Sequence, residues 1–247
     1  MVTKVDHVQT FFEQPQKYLT RRDYEIRIRA ETVKELAKRS GDIRILDIGC
    51  GDGSISLPLL TETTRVTQLD LSSSMLSIAR SKVPPEFQKN VETVNQDFMA
   101  AEFKPQSFDL ILCIGVLAHV ASPDDFLAKI VSLLRPGGSI IVECTDSRHF
   151  LTRMIVIFAK VWGIFRPATY ALNNVSSSQI TKILGRYHLE PNATFRFAAA
   201  IPGIYRVFSQ GSLYKLTREI FGTPGANRNA RLGNEYIGLF TIERSAS

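Results

Sequence analysis

The sequence predicts a three-layer α/β/α sandwich on a mostly parallel sheet, and three observations predict it. Apolar runs of strand length alternate with helix-period segments between residues 43 and 144, the pattern of βαβ units. The run at 108–114 is almost continuously apolar, as expected of a strand covered on both faces. The first run, Ile43–Ile48, closes in a turn with glycine at alternate positions, Gly49, Gly51 and Gly53. Such a turn lets backbone approach a ligand and adopts positive φ angles.

The elements follow in order. Residues 5–39 read as helical, with Tyr24, Ile28, Val33 and Leu36 recurring at helix spacing among charges. The strand 43–48 and its glycine turn lead into an expected helix at 54–60. A strand at 65–69, a serine-capped helix at 73–82 and a third strand at 91–95 come next. After strand 108–114, a helix at 123–134 stops at Pro136-Gly137-Gly138, and a fifth strand spans 139–144. Beyond His149 the pattern changes: 150–165 is strongly apolar and roughly helical, 176–187 is an amphipathic helix, and 194–200 and 236–242 read as strands. An irregular stretch at 222–234 lies between these two strands. The count is a seven-stranded sheet in a single domain, with 1–40 as N-terminal helical cover, 41–146 as the binding core and 147–247 as substrate-covering insertions and last strands.

Composition sets bounds. The 247 residues are 44% hydrophobic and 22% charged, ordinary values for a globular chain able to build its own core. Three cysteines without a CxxC pair argue against a disulfide framework or a zinc site, and no metal is expected. The formal charge of +6 concerns partners rather than fold. The opening residues lack the apolar core of a signal peptide, so a cytoplasmic location is expected.

The chemistry centres on residues 46–54, Leu-Asp-Ile-Gly-Cys-Gly-Asp-Gly-Ser. A strand running into a glycine turn suits nucleotide-type cofactors in general. A dinucleotide fingerprint, GxGxxG, needs its third glycine at position 54. Here that residue is Ser54, with Gly53 one place early. Asp47, just ahead of the glycines, repels a pyrophosphate and suits a cationic ligand.

These residues resemble motif I of the class I S-adenosylmethionine (SAM)-dependent methyltransferases, small-molecule type. The resemblance implies a Rossmann-like fold with an antiparallel last strand and helical lid elements. It implies SAM as cofactor and S-adenosylhomocysteine (SAH) as product. By that resemblance Asp47 holds the methionine end, and Gly49, Cys50, Gly51 and Gly53 form the floor. Asp70 takes the ribose hydroxyls, and Leu71 and Met75 flank the adenine. Asp97 and Phe98 contact adenine after the third strand, Cys113 ends the fourth strand beside the ligand, and Tyr18 reaches in from the N-terminal cover. Tyr24 and Arg27 are further candidates for contacts to the methionine carboxylate or the acceptor. Asp109 is assigned a structural role.

His119, just past the fourth strand in Leu117-Ala118-His119-Val120, is the candidate general base, needed only where the acceptor must lose a proton. The alternative is a histidine that shapes the loop. The Asn/Asp-Pro-Pro-aromatic signature of base-amine methyltransferases is absent after the fourth strand, where Cys113-Ile114-Gly115-Val116 stands, and no Pro-Cys occurs. A nucleic-acid substrate is therefore not expected. The expected acceptor is a small, lipophilic molecule methylated at oxygen in secondary-metabolite, quinone or porphyrin-type biosynthesis, with C- or N-methylation as the alternative. Two other classes stay open, a nicotinamide-dependent oxidoreductase and a non-catalytic SAM-binding protein. The segment 150–166 is lid, core helix or peripheral membrane contact. Oligomeric state is left open.

Overall fold

The computed structural model describes residues 23–38, 41–161, 173–198 and 208–242. Seven strands form one sheet: β1 (Ile43–Ile48), β2 (Thr64–Asp70), β3 (Val91–Asn95), β4 (Phe108–Cys113), β5 (Leu134–Thr145), β6 (Leu189–Phe197) and β7 (Glu235–Ile242). Their order is β3-β2-β1-β4-β5-β7-β6. The β2–β3, β1–β2, β1–β4 and β4–β5 pairs are parallel, and β7 runs antiparallel to β5 and β6. This is the expected Rossmann-like sandwich with an antiparallel last strand. The strand order reverses at β1, so a crevice opens between the carboxyl ends of β1 and β4, where ligands of such sheets bind.

Among the described residues the α-helices are α1 (Asp23–Leu36), α2 (Ser73–Ser81), α3 (Pro123–Leu133), α4 (Phe150–Val161), α5 (Ser177–Gly185) and α6 (Gln210–Phe221). The alternation of β4 shows why three layers form. Ile111 and Cys113 face one core with Phe126, Leu127 and Ile130 of α3 and Ile180, Ile183 and Leu184 of α5. Leu110 and Leu112 face the other, with Tyr24, Ile28 and Val33 of α1 and Leu213 and Phe221 of α6. Each buried side chain of this size contributes roughly 1.5–3 kcal/mol of transfer free energy. Ser72, Ser122, Ser176 and Ser209 cap α2, α3, α5 and α6 by accepting main-chain N–H bonds, each worth about 1 kcal/mol.

Four elements depart from the sequence expectation. No α-helix follows the glycine turn; a single 3-10 turn, Leu57–Leu59, stands there. Pro58 has no N–H to donate and stops an α-helical ladder from forming through 54–60. β5 begins at Leu134, which pairs with Phe108 ahead of a register shift, so the Pro-Gly-Gly turn lies inside the strand as a bulge. β6 begins at Leu189, and Pro191 sits at its register shift; proline is tolerated because β6 is the edge strand. α6 was not expected, although Leu213, Thr217 and Phe221 bury one helical stripe.

Candidate functional site

The carboxyl edge of β1, β2 and β4 gathers most of the residues that the sequence singles out. Gly49 and Cys50 donate their N–H groups to the Leu69 carbonyl at 2.8 and 3.1 Å, tying the glycine turn to the end of β2. Gly51 donates to Asp70 Oδ2 at 2.8 Å, and Ser72 donates to Asp70 Oδ1 at 2.9 Å. Asp70 therefore holds two turns at once. A carboxylate oxygen accepts more than one hydrogen bond, so this geometry is compatible with ribose hydroxyls as further donors.

Two of the glycines differ in what demands them. A Cβ on Gly49 would stand 2.6 Å from Val116 Cγ2, at a φ of +66°, so the loop after β4 packs directly on it. Gly51 has a φ of +55°, but a Cβ there would meet nothing within 4 Å. Its absent side chain leaves open space above the turn, the cradle a ligand requires.

Asp47 is 1% exposed and Oδ2 has no hydrogen-bond partner among the described residues. Burial first, and the neighbouring charges of Asp70 and Asp52, push its carboxyl up to about 7, against a hydrogen bond from Ser56 that lowers it. A buried acid with an orphaned oxygen carries an electrostatic demand that a ligand cation satisfies. Asp52 meets that demand within the protein: Lys82 pairs with it, and Ser54 bonds to both its oxygens at 3.2 and 2.8 Å. Ser54 therefore stands in place of a third glycine because it closes this turn.

The remaining expectations divide. Leu71 is half-buried beside Asp70, and Asp97 is half-buried, its Oδ1 accepting from Met99 N–H at 2.9 Å. Met75 is 1% exposed, sealed inside the protein rather than lining open space. Phe98 also turns inward: its ring packs on Phe126 at 4.8 Å, with Lys129 Nζ 5.1 Å away. Lys129 Nζ further donates to the carbonyls of Phe98, Met99 and Ala101. The turn after β3 thus presents main chain rather than the Phe98 ring. Cys50 and Cys113 are buried free thiols whose ionisation burial suppresses strongly; neither is poised as a nucleophile. Asp109 is structural, accepting from Arg44 N–H at 2.9 Å and from Arg135 at 3.2 Å. Tyr18 lies outside the described residues.

Tyr24 and Arg27 are engaged within α1 and with α6. Tyr24 is 2% exposed in the core. Arg27 pairs with Glu31 at 3.0 Å, one helical turn on, and lies over the Tyr214 ring at 3.9 Å. Arg29 turns inward instead. Its Nε meets Glu143 Oε1 at 2.5 Å and its Nη2 lies 3.6 Å from Glu235 Oε2. None of these three residues drew attention in the sequence. The available signal was an arginine between Ile28 and Thr32 on the apolar stripe of α1, which requires a buried carboxylate as partner.

His119 sits in the loop after β4, half-buried, its N–H bonded to the Val116 carbonyl at 2.8 Å. Asn173 pins this loop, donating N–H to the Ala118 carbonyl at 2.8 Å and its side chain to the Leu117 and Val120 carbonyls. A cleft of about 420 Å³ is lined by Arg44, Arg65 and Glu92. It lies at the amino ends of the strands, away from the glycine turn.

Residues 46–142, from Leu46 in β1 to Val142 in β5, match the family described as a methyltransferase domain. Over this span the chain is similar to a methyltransferase domain. The matched span contains the glycine turn, Asp47, Asp70, Asp97 and His119. The ubiquinone biosynthesis O-methyltransferase of Aeromonas salmonicida is 32% identical over 120 residues, 47% of this chain and 49% of that protein. The chain thus spans about half the length of that relative. A Thermotoga maritima SAM-dependent methyltransferase, described as a possible histamine N-methyltransferase, superposes with a TM-score of 0.68 at 17% identity, over 98% of this chain and 100% of that one. The magnesium protoporphyrin IX methyltransferase of Synechocystis, solved with bound SAH, gives a TM-score of 0.65 at 17% identity over 98% and 100%. Both structural likenesses are of the fold, which extends beyond the methyltransferase domain's matched span to β6 and β7.

Proposed function

We propose that the chain transfers the methyl group of SAM to an oxygen of a small, lipophilic acceptor in quinone- or porphyrin-type biosynthesis, releasing SAH. The observation that carries this reading is Asp47: a buried acid with an unpartnered oxygen beneath a turn whose Gly51 opens on empty space. The donor set fits a cationic amino-acid nucleoside. Asp47 takes the ammonium, Asp70 the ribose hydroxyls, and Asp97 with the main chain at Phe98 the adenine. Once bound, SAM supplies an activated methyl on a positively charged sulfur.

The protein's own part is alignment, exclusion of water and proton acceptance. His119 sits on a loop that Asn173 holds in place at the carboxyl edge of β4, and serves as base for an acceptor that must lose a proton. The names of the ubiquinone-pathway relatives support O-methylation. A dinucleotide reading fits poorly: the short 3-10 turn offers no α-helix N-terminus for a pyrophosphate, and Asp47, Asp52 and Asp70 surround its place with acid.

Two finer proposals follow. Phe150, Met154 and Ile157 of α4 are 52%, 61% and 61% exposed, and with Arg148 and Arg153 nearby they suit a peripheral lipid surface. The part of the 150–166 segment beyond 161 lies outside the described residues. No helix among the described residues is long and apolar enough to cross a membrane. Free buried thiols at Cys50, Cys113 and Cys144 agree with a reducing, cytoplasmic setting.

Incubation of the purified protein with methyl-labelled SAM and a set of alkyl catechols tests the activity. Label should move into the organic phase as a methyl ether. Tight binding of SAM with no transfer to any catechol or metabolite extract would favour a non-catalytic protein.

A further inference from the structure

The site as described leaves one buried group unused. Glu143 of β5 is 2% exposed, and its Oε2 has no hydrogen-bond partner among the described residues. Register places it relative to the cofactor residues. Asp47 pairs with Leu112 of β4, and Leu112 pairs with Ile141 of β5. Glu143 is two residues beyond Ile141, so it points to the same face of the sheet as Asp47. That face is the one α1 covers. Glu143 sits two strands from β1, on the order of 10 Å away, past the switch point and one step nearer the carboxyl edge.

The orphan oxygen is also aimed. It is the nearest atom to the position that a side chain on Gly115 would take, at 3.9 Å, and Gly115 is exposed with a φ of +74°. The glycine after β4 thus leaves the approach to Glu143 without a side chain. Behind it, Arg29 bonds Glu143 Oε1 and approaches Glu235 Oε2, while Thr145 donates to Glu235 Oε1 at 2.8 Å. One guanidinium serves two carboxylates, and Glu143 Oε2 and Glu235 Oε2 both lack a hydrogen-bond donor among the described residues. Of the two, Glu143 Oε2 is the one that stands against the position a side chain on Gly115 would take.

We propose that Glu143 Oε2 recognises the methyl acceptor by accepting a hydrogen bond from a hydroxyl next to the atom methylated, so that a vicinal diol of the catechol class is preferred over its ethers. This rests on the methyltransferase reading, because it takes the donor's methyl to lie between Asp47 and Glu143. A neutral hydroxyl fits better than an ammonium, since the donor's sulfonium already brings a positive charge to this edge. Arg29 and Glu235 are positioning residues: they hold Oε1 of Glu143 and turn Oε2 outward.

The test measures binding without turnover. Protein loaded with SAH is titrated by calorimetry with 4-hexylcatechol and, separately, with its dimethyl ether. A hydrogen bond to a charged group corresponds to about a tenfold or larger preference for the catechol. Glu143→Gln and Glu143→Asp should each erase most of that preference with SAH affinity near that of the parent, while the thermal midpoint falls through the weakened Arg29 contact. Equal affinity of the parent for the two ligands, or a preference that survives in either variant, overturns the assignment. Should neither variant fold, the parent's preference decides alone. Failure of SAH to bind the parent is a separate outcome, which removes the methyltransferase reading itself.

Discussion

The carboxylate of Asp70 accepts the main-chain N–H of Gly51 at 2.8 Å, so the acid that ends β2 fixes the turn that leaves β1. One side chain thereby supports the cofactor floor and offers itself to the cofactor. Asp70→Ala should weaken SAM binding by about tenfold to a hundredfold, the range of a lost charge-assisted hydrogen bond. It should also lower stability by roughly 1–2 kcal/mol through the released Gly51 and Ser72 donors. Calorimetry and thermal unfolding read the two effects separately, and loss of stability without loss of affinity would confine Asp70 to a structural role.

Burial raises the Asp47 carboxyl to about 7, while unfolded aspartate titrates near about 3.9. Between these values the folded protein binds the extra proton, so this group's contribution to stability falls as pH rises through about 4 to 7 and levels off above. Asp47→Asn removes that slope. Glu235, raised to about 7 by burial and then by Glu143, with Arg29 opposing, slopes the same way in both proteins, so the difference between them isolates Asp47. SAM affinity should climb with pH up to about 7 in the parent and stay low and flat in Asp47→Asn. Equal pH profiles of affinity would detach Asp47 from the ligand cation.

Gly49 and Gly51 give contrasting variants. Gly49→Ala drives a Cβ to 2.6 Å from Val116 at a φ of +66° and should destabilise by about 2–4 kcal/mol. Gly51→Ala meets only the strain of its φ of +55°, about 1–2 kcal/mol, yet fills the space left for the ligand. Its fold should survive while SAM affinity drops. Normal SAM binding by folded Gly51→Ala would place the ligand elsewhere.

His119→Ala should reduce kcat by about 100-fold or more, the usual worth of a positioned base, with SAH affinity unchanged. A parallel fall in SAH affinity would mark His119 as a residue that shapes the cofactor loop.

Met154→Glu with Ile157→Glu removes the apolar face of α4. Co-sedimentation with vesicles of mixed anionic and neutral lipid should fall well below that of the parent. The same recovery of both proteins in the supernatant would leave α4 to another partner.

The fold was legible because its signals are local and repeated: β4 reads as buried on both faces, and serines cap the helices where caps are needed. The glycine turn and its acids were legible for the same reason, since Asp47, Gly51 and Asp70 sit in one short stretch of chain around two strand ends. What stayed hidden depends on distant partners. Ser54 looks like a missing glycine until Asp52 and Lys82 are seen beside it. Phe98 and Met75 carry the right side chains for a ring contact, but Phe126 and the packing under α2 claim them. Arg27 and Arg29 are two residues apart, and only the sheet determines which one turns inward. Glu143 and Glu235 lie 92 positions apart in sequence and meet because β5 and β7 pair.

Whether Asp47 grips an amino-acid nucleoside is decided by titrating the purified protein with SAH and, in parallel, with NAD. SAH should give a saturable heat and NAD none, and Asp47→Asn should lose most of the SAH signal. Binding of NAD but not SAH, or an SAH signal that Asp47→Asn leaves untouched, would contradict this reading.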